Sequence, residues 1–378
     1  MLKQRFRLIL LVTAVAVGLV VVPASAQTLL GGTTIQGQPI PTVDDVVSED
    51  LGSSLSRQKS VLNHWTPERM RSATPVETPV ADPSTGGLLN NVLPSKSGLP
   101  QLPATPGKAP STATDAGQDA DRAVETPKPL PSAAKPPVDK PETTPRSAAA
   151  KTWSSGGAVT KNVGKVFFTL GGKDLVCTAA VIDSQNRDTV ITGGHCVNDG
   201  GTFARNWTFI PGYNNGNEPN GRWTARTLKA LAGWTQNGDR NQDVGFAVLN
   251  TRDGRHIADA VGAQKIAFNT GNGAQVQAFG YPQYAPYNGK TLEFCSDTAK
   301  PDNRNSHSTS QGISCDMTEG SSGGMWAMDM QPSGIGTVVG VNSYSYSDSL
   351  DVMMSPTLGN EAKAAYDAAS SSSAASRA

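Results

Sequence analysis

VGKVFFTLGGKDLVCTAAVIDSQNRDTVIT, residues 163–192, contains three short runs that are rich in β-branched, aromatic and other apolar residues. The runs are Lys165–Leu170, Leu175–Ile182 and Thr189–Thr192, and Gly-, Asp- and Asn-containing stretches separate them. Runs of this length between turn residues are typical of β-strands. Similar runs recur as far as Tyr346, so the sequence predicts an all-β sandwich or barrel.

The composition divides the chain into a leader and a globular part. Residues 27–150 hold 18 of the 26 prolines but a single aromatic residue, Trp65, whereas the part that follows holds 20 of the 22 aromatics and all four cysteines. We therefore expect residues 27–150 to be a mostly disordered Pro/Ala/Ser-rich propeptide or linker. Residues 151–368 are expected to form one globular domain that ends in a helix over Asn360–Ala369, and residues 369–378 to be a disordered tail.

The first 26 residues are typical of a secretory signal. Lys3, Arg5 and Arg7 precede an apolar run over Leu8–Val22, and Ala24-Ser25-Ala26 follows it. This pattern predicts cleavage after Ala26, with an uncleaved anchor as the alternative. Since no other stretch is apolar enough to cross a bilayer, we expect a secreted, extracellular protein that is free of the membrane after signal removal.

One patch of the leader differs from the rest. Thr66 is suited to cap a short helix whose first residue is Pro67. Trp65 is expected either to dock on another part of the protein or to lie in a linker that happens to contain a short helix.

Charge and cysteine content narrow the functional classes. The 32 basic and 32 acidic residues cancel, which argues against a nucleic-acid binder that acts through bulk electrostatics. The four cysteines of an exported chain indicate two disulfides with three possible pairings. Sequence separation favours Cys177 with Cys196 and Cys295 with Cys315. A zinc site is not expected, because Cys-x-x-Cys and paired-histidine motifs are absent from the sequence.

A serine among glycines is the candidate nucleophile. It is Ser322 within Gly320–Gly324, where the amides of Gly320 and Ser322 are candidate donors to a developing oxyanion. The string also fits the Gly-x-Ser-x-Gly elbow of α/β-hydrolases, but that fold needs a histidine after the serine and none follows Ser322.

A serine nucleophile needs a base, and the base needs a carboxylate that orients it. His195 follows a β-run and precedes a cysteine, whereas His256 and His307 lie in charged and polar loops. Asp243 opens an apolar run and is the preferred carboxylate, with Asp239 as the second choice. The predicted catalytic residues are therefore His195, Asp243 and Ser322.

These residues carry a resemblance to a known family. Thr192–Cys196, Asp243–Leu249 and Gly320–Gly324 look like the three signature blocks of chymotrypsin-like serine proteases, in the same order. Gly340–Tyr344 resembles the strand that pairs with the substrate backbone. The likeness covers about residues 155–368. It points to the secreted bacterial branch, which includes the glutamyl endopeptidases.

The resemblance implies a double β-barrel, with His195 and Asp243 in the first barrel and Ser322 in the second. It also implies a Cys177–Cys196 bridge, a cleft for protein or peptide substrates, no cofactor and a monomeric precursor. The leader would be removed near Arg146 or Lys151.

Departures from the family pattern concern activation and specificity. Ser321 replaces the aspartate that precedes the nucleophile in animal members, so the usual activation switch is not expected. Asp316, six residues before the nucleophile, and Ser343 are candidate substrate-binding residues, with Asp316 favouring basic or broad specificity or else being a loop carboxylate paired elsewhere. Asn342 replaces a histidine of glutamyl endopeptidases, which argues against glutamate selectivity.

Two other functions remain open from the sequence. A catalytically inactive protease fold would serve as a binding protein, since fold alone does not fix function. A serine esterase would use the same three residues on a different bond.

Overall fold

The structure is a computed structural model that describes residues 34–35, 38–39, 45–76, 80–81 and 148–373. The predicted signal over residues 1–26 and most of the leader lie outside the described residues. The chain divides into two compact units, Met1–Ile40 and Pro41–Ala378. In the first unit, strands β1 (Thr34–Ile35) and β2 (Gln38–Pro39) pair antiparallel. Among the described residues, no helix is long and apolar enough to span a membrane.

The second unit contains the remaining elements. The leader contributes β3 (Val46–Asp50), α1 (Leu55–His64), α2 (Pro67–Ser72), β4 (Thr74–Pro75) and β5 (Val80–Ala81). The elements up to residue 261 are β6 (Lys151–Thr152), α3 (Val159–Asn162), β7 (Val163–Leu170), β8 (Lys173–Val181), β9 (Thr189–Thr192), β10 (Asn198–Asp199), β11 (Thr202–Phe203), β12 (Arg205–Pro211), β13 (Trp223–Leu231), α4 (Ala232–Asn237), β14 (Gly245–Leu249) and α5 (Ile257–Val261). Short 3-10 helices lie at Gly194–Cys196 and Arg240–Gln242. The elements after residue 261 are β15 (Lys265–Ile266), β16 (Gln275–Gly280), β17 (Glu293–Thr298), β18 (Lys300–Pro301), β19 (Gln311–Ser314), β20 (Met325–Met328), β21 (Thr337–Val341), β22 (Tyr344–Tyr346), β23 (Ser349–Ser355) and α6 (Asn360–Ser370).

Six antiparallel strands form a closed barrel in the order β12-β7-β8-β9-β14-β13, and pairing of β12 with β13 completes the ring. Strand β8 carries apolar residues on both of its faces, and both faces are buried. Because successive side chains of a strand point to opposite faces, Cys177 and Ala179 enter the barrel core, while Val176 and Ala180 pack outside it. The barrel therefore has buried surfaces both inside and outside.

The second half consists of two sheets that share one core. One sheet has the order β15-β21-β20-β16-β17-β6 and the other has the order β18-β19-β23-β22-β5. Val276, Trp326 and Val339 of the first sheet pack with Ile313 and Met353 of the second. The predicted all-β architecture with two β-units is confirmed.

A third cluster joins the two halves. Phe246 of the first barrel, Phe279 and Met325 of the second half and Ala362 and Ala365 of α6 lie in one buried core. The helix expected over Asn360–Ala369 is confirmed and ends one residue later, at Ser370. These contacts hold the two halves together beside the cleft residues described below.

The leader segment 45–76 is ordered on the first barrel. Helix α2 begins at Pro67, and the Thr66 hydroxyl caps it, as the sequence predicts. Trp65 is 1% exposed, and its indole Nε1 donates to the carbonyl oxygen of Asn206 at 2.6 Å. The docking interpretation of Trp65 is confirmed, so the expectation of disorder does not extend to this segment.

The leader also adds strands to both halves of the protein. Strand β3 pairs antiparallel with Thr227–Leu231 of β13. Strand β4 pairs parallel with Leu175–Val176 of β8, and β5 pairs parallel with Ser345–Tyr346 of β22. The leader thus contacts both halves of the molecule.

Candidate active site

His195 lies in the 3-10 helix that follows strand β9. A disulfide between Cys177 and Cys196 ties this turn to strand β8, and the second bridge joins Cys295 to Cys315. Both predicted pairings are confirmed. The His195 side chain is buried, with 4% of its surface exposed, so its ring is held between strand, turn and disulfide.

Asp243 lies between the 3-10 helix at Arg240–Gln242 and strand β14, two residues before the strand begins, and it is fully buried. Its Oδ2 lies 2.8 Å from His195 Nδ1, and its Oδ1 accepts the His195 backbone N–H at 2.8 Å. A carboxylate can only accept in this contact, so Nδ1 of His195 carries the proton when the ring is neutral. The other nitrogen, Nε2, is then a base, and it is buried without a hydrogen-bond partner among the described residues.

Two glycines before His195 make room for this contact. A Cβ on Gly194 would lie 2.9 Å from Asp243 Oδ1 and 2.9 Å from Trp234 Cδ1. A Cβ on Gly193 would lie 2.9 Å from His195 Cε1. The Trp234 ring occupies space beside Gly194 that an alanine methyl would need, so the packing here favours glycine.

Ser322 lies in a buried loop that packs against the strands leading to His195. The Ser322 carbonyl accepts from the Thr178 N–H at 2.8 Å, and the Thr192 hydroxyl donates to the Thr178 carbonyl at 2.8 Å. A Cβ on Gly323, where φ is +76°, would lie 2.1 Å from Thr192 Oγ1. This close approach requires glycine and brings the residue after Ser322 against the end of β9, three residues before His195.

The residues around Ser322 fix the loop from two sides. Gly320 has φ of +97°, and a Cβ there would lie 2.7 Å from the Tyr281 carbonyl oxygen. The Ser321 hydroxyl donates to the Thr318 carbonyl at 2.8 Å, a contact within the same loop. Ser321 therefore serves the local turn, in agreement with the absence of an activation aspartate here.

Asn342 is buried and uses its amide to fasten the same loop. Its Nδ2 donates to the carbonyl oxygens of Phe279 and Ser321, each at 2.9 Å, and its Oδ1 accepts from the indole of Trp326 at 2.8 Å. The side chain that replaces a histidine of glutamyl endopeptidases is thus a structural link between β16, β20 and the loop that bears Ser322.

Ser343 directs its side chain at the buried carboxylate. Its Oγ lies 2.5 Å from Asp243 Oδ2, and Ser343 is fully buried. The sequence singled out Ser343 for substrate binding and did not indicate this contact, because the partner lies 100 residues away. Asp243 accordingly accepts from His195 on one side and from Ser343 on the other.

Asp316 is half-buried and contacts Ala150, the last residue of the predicted leader. Its Oδ1 accepts the Ala150 N–H at 2.9 Å and also the Tyr287 hydroxyl. Burial and the hydrogen bond to this carboxylate raise the pKa of Tyr287 above its ordinary range. The loop interpretation of Asp316 has these partners in its support, and substrate selection by Asp316 stays a prediction.

The other candidates of the sequence have structural contacts elsewhere. His256 Nδ1 lies 2.9 Å from Asp188 Oδ2, and exposed His307 lies beside Ser306. Asp239 caps the 3-10 helix at Arg240–Gln242. None of these three side chains is brought to His195 by a described contact.

Lys165 is a buried cation that sequence reasoning missed. Its Nζ donates to Gln283 Oε1 at 2.8 Å and to the Gly289 carbonyl at 3.1 Å. Burial lowers the pKa of Lys165 to about 8. Because the Gln283 backbone packs against Gly320, Lys165 supports the loop before Ser322 through one intervening side chain.

Solved structures that are similar to the chain include two proteases, whereas no sequence-family profile matches it. The protease Anisep from Arthrobacter nicotinovorans is 43% identical, with 56% of this chain and 96% of that chain covered and a TM-score of 0.54. The thermostable serine protease AL20 from an extremophilic microorganism is 42% identical, with 57% and 100% covered and a TM-score of 0.54. The chain belongs to the chymotrypsin-like serine protease family. The resemblance seen in the sequence is therefore confirmed.

A curated relative shares a shorter stretch with this chain. It is an extracellular metalloprotease of Bacillus subtilis (strain 168), 35% identical over 83 residues, or 21% of this chain and 25% of the relative. The chain thus spans about a quarter of the length of that relative. Among the described residues, one group has closely spaced potential metal ligands, Cys177, His195 and Cys196. Both cysteines are in the disulfide and offer no thiolate, so the group does not fit a metal ion.

Proposed function

We propose that this protein is a secreted serine endopeptidase, made as a precursor, that hydrolyses peptide bonds through an acyl-enzyme on Ser322. The observation that carries the proposal is the orientation of His195. Asp243, which Ser343 holds by a hydrogen bond, fixes the Nδ1 side of the ring, and this leaves the buried Nε2 as the proton acceptor.

In the proposed reaction, Ser322 Oγ attacks the scissile carbonyl carbon while His195 Nε2 takes its proton. The amides of Gly320 and Ser322 stabilise the oxyanion. His195 then protonates the leaving amine, the C–N bond breaks, and water later releases the acyl group by the same route in reverse. Asp243 stabilises the imidazolium throughout without taking the proton.

The proposed substrate is an extended peptide that adds to the edge of β22, next to Ser343. Peptides commonly bind proteases and other receptors by joining a sheet edge through main-chain hydrogen bonds. We place the substrate antiparallel to β22, because antiparallel pairing is slightly more stable per residue.

Labelling with a fluorophosphonate probe tests the nucleophile. The processed protein is expected to be labelled at Ser322, and the label is expected to be lost in Ser322→Ala and His195→Ala. Exposed Ser306→Ala is the matched control and should label normally. Peptide hydrolysis should fall by at least about 10⁴-fold in either triad variant. A Ser322→Ala protein that still cleaves casein would refute the assignment.

Substrate comparisons test the bond type and the specificity. Faster turnover of peptides than of matched esters, relative to the uncatalysed rates, supports an endopeptidase over an esterase. Inertness of the processed chain to the probe would favour a binding protein. We propose that Asp316 contributes to selection of Arg or Lys. Asp316→Asn should then lower kcat/KM for an arginyl peptide but not for an alanyl peptide, and a variant with wild-type kcat/KM on both peptides would overturn this.

Export is tested by the culture medium. The name of the Bacillus relative describes an extracellular protein, and we propose the same location here. Intact mass and N-terminal sequencing of secreted protein should show a start at Gln27 or, after maturation, near Ser147 or Thr152.

A further inference from the structure

The leader is anchored on the first barrel by a buried tryptophan. The Trp65 ring packs against Phe167 with ring centres 5.6 Å apart. The Arg222 guanidinium donates to the Trp65 carbonyl oxygen at 2.6 Å, and Arg69 pairs with Asp174 at 2.7 Å. These contacts combine apolar burial with charged hydrogen bonds, and they fix where the following residues run.

After this anchor, the leader lies along one side of the candidate active site. Strand β4 pairs with Leu175–Val176 of β8, directly before Cys177, whose disulfide holds the His195 turn. The Val76 N–H donates to the Val176 carbonyl at 3.2 Å. Gln283 Nε2 donates to the Ala73 carbonyl at 3.0 Å, and Gln283 itself packs against Gly320.

On the other side of the site, the leader covers the edge of β22. Strand β5 aligns Val80 with Ser345 and Ala81 with Tyr346, two and three residues after Ser343. Strand β5 is the outermost strand of its sheet, so β22 would be the edge without it. This is the edge on which the proposed function places the substrate.

The direction of the leader differs from that of the proposed substrate. Both β4 and β5 pair in the parallel sense, so the leader passes from the β8 side of the site to the β22 side. A peptide antiparallel to β22 runs the other way. In the reversed direction, the nitrogen of each peptide bond lies where the acyl side of a substrate would lie. His195 then cannot deliver its proton to the leaving nitrogen after attack.

We propose that the leader is an inhibitor of its own enzyme and occupies the substrate strand edges in reverse, through β4 and β5. This inference rests on the proposed function, since it names the regulation of the same site. The leader blocks the cleft to extended peptides and resists cleavage within its paired segments. Inhibition ends when the chain is cut after the leader and the anchored segment dissociates.

Peptide hydrolysis by the full-length secreted chain, with Arg146→Ala and Lys151→Ala to hold it unprocessed, tests the inhibition. We expect this precursor to cleave an extended peptide at least about 100-fold more slowly than the processed enzyme. Trp65→Ala in the precursor should restore most of the activity, because loss of a buried tryptophan favours release by roughly 100-fold or more. Leu55→Ala, at a leader side chain that is 76% exposed, is the control and should stay inhibited.

A second variant covers the case in which Trp65→Ala does not fold. Val80→Pro/Ala81→Pro removes both backbone N–H groups of β5 and so weakens its pairing with β22. Because β5 is the outermost strand, no other pairing is lost, and peptide hydrolysis should rise with an unchanged melting temperature. Equal activity of precursor and processed enzyme, or new chain ends within the paired segments during maturation, would overturn the proposal.

Hydrogen exchange separates this inference from the catalytic assignment. Of the adjacent amides of Ser345 and Tyr346, the one whose N–H faces β5 should exchange faster after processing, whether or not the enzyme is active. Failure of Ser322 labelling together with this change would refute the proposed function alone. Unchanged exchange in an enzyme that labels normally would refute the leader inference alone.

Discussion

Gly194→Ala adds one methyl group at the most crowded point beside the candidate base. The new Cβ would lie 2.9 Å from Asp243 Oδ1, 2.9 Å from Trp234 Cδ1 and 3.0 Å from Trp234 Cγ, whereas ordinary contacts start near 3.4 Å. The Trp234 ring is 8% exposed and its indole N–H is bonded to the Asn198 carbonyl at 2.8 Å, so it cannot move away freely. Overpacking of this kind costs about 1–3 kcal/mol.

The expected loss of stability is about 2 kcal/mol, which corresponds to a fall in melting temperature of roughly 4–8 °C for a domain of this size. Activity should fall as well, because Asp243 Oδ1 accepts from both the backbone N–H and Nδ1 of His195. If one of these hydrogen bonds to the Asp243 carboxylate is weakened, kcat/KM should fall by about 10- to 100-fold.

Thermal unfolding and peptide hydrolysis of the processed enzyme measure both effects. Gly359→Ala is the matched control, because its Cβ would meet only Glu361 Oε2, at 3.2 Å. It should cost at most about 1 kcal/mol and leave kcat/KM unchanged. A Gly194→Ala enzyme with wild-type melting temperature and activity would show that the Trp234 ring yields without disturbing Asp243, and the packing argument would be wrong.

Three further predictions follow from buried polar groups and the second disulfide. Ser343→Ala removes one hydrogen bond to Asp243 and should lower kcat by about 10- to 100-fold with little change in KM, and an unchanged kcat would contradict a positioning role. Between pH 8 and 10.5 the amine of Lys165 binds a proton in the unfolded chain but not in the native protein, so the free energy of unfolding should rise with pH. Relative to Lys165→Met, the rise in wild type should reach about 3 kcal/mol when measured by urea unfolding. Parallel pH profiles of the two proteins would refute this. Cys295→Ala/Cys315→Ala opens a loop with a sequence separation of 20 residues and should cost about 3 kcal/mol by the same assay, with an undiminished midpoint as the contrary result.

The strands with clear local patterns could be predicted from the sequence. Lys165–Leu170, Leu175–Ile182 and Thr189–Thr192 correspond to β7, β8 and β9 within a few residues, because β-branched runs between turns depend little on distant partners. Strand β13 lacks such a local pattern, because it carries the buried cation Arg226. That charge is tolerated because Asp188 lies 3.2 Å away, a partner 38 residues distant in sequence.

In the candidate site, too, residues within local sequence motifs could be predicted, and contacts between residues far apart in the sequence could not. His195, Asp243 and Ser322 stand in recognisable local strings, and the structure brings His195 and Asp243 into direct contact. The contact of Ser343 with Asp243 could not be predicted, because the two residues are 100 positions apart in the sequence. The path of the leader could not be predicted either. The order of the leader depends on the burial of Trp65 against the barrel, which the average composition of residues 27–150 conceals.

Strand β3 of the leader also bears on solubility. Its removal would leave Thr227–Leu231 of β13 with unpaired backbone groups, the kind of open edge on which chains aggregate. Lys229 lies on that edge, where its Nζ donates to the Ser48 hydroxyl at 3.0 Å and burial lowers the pKa of Lys229. Departure of β3 returns this ammonium to water. A lysine on an edge strand discourages a second chain from joining it, so the step that would expose the edge also protects the enzyme from self-association.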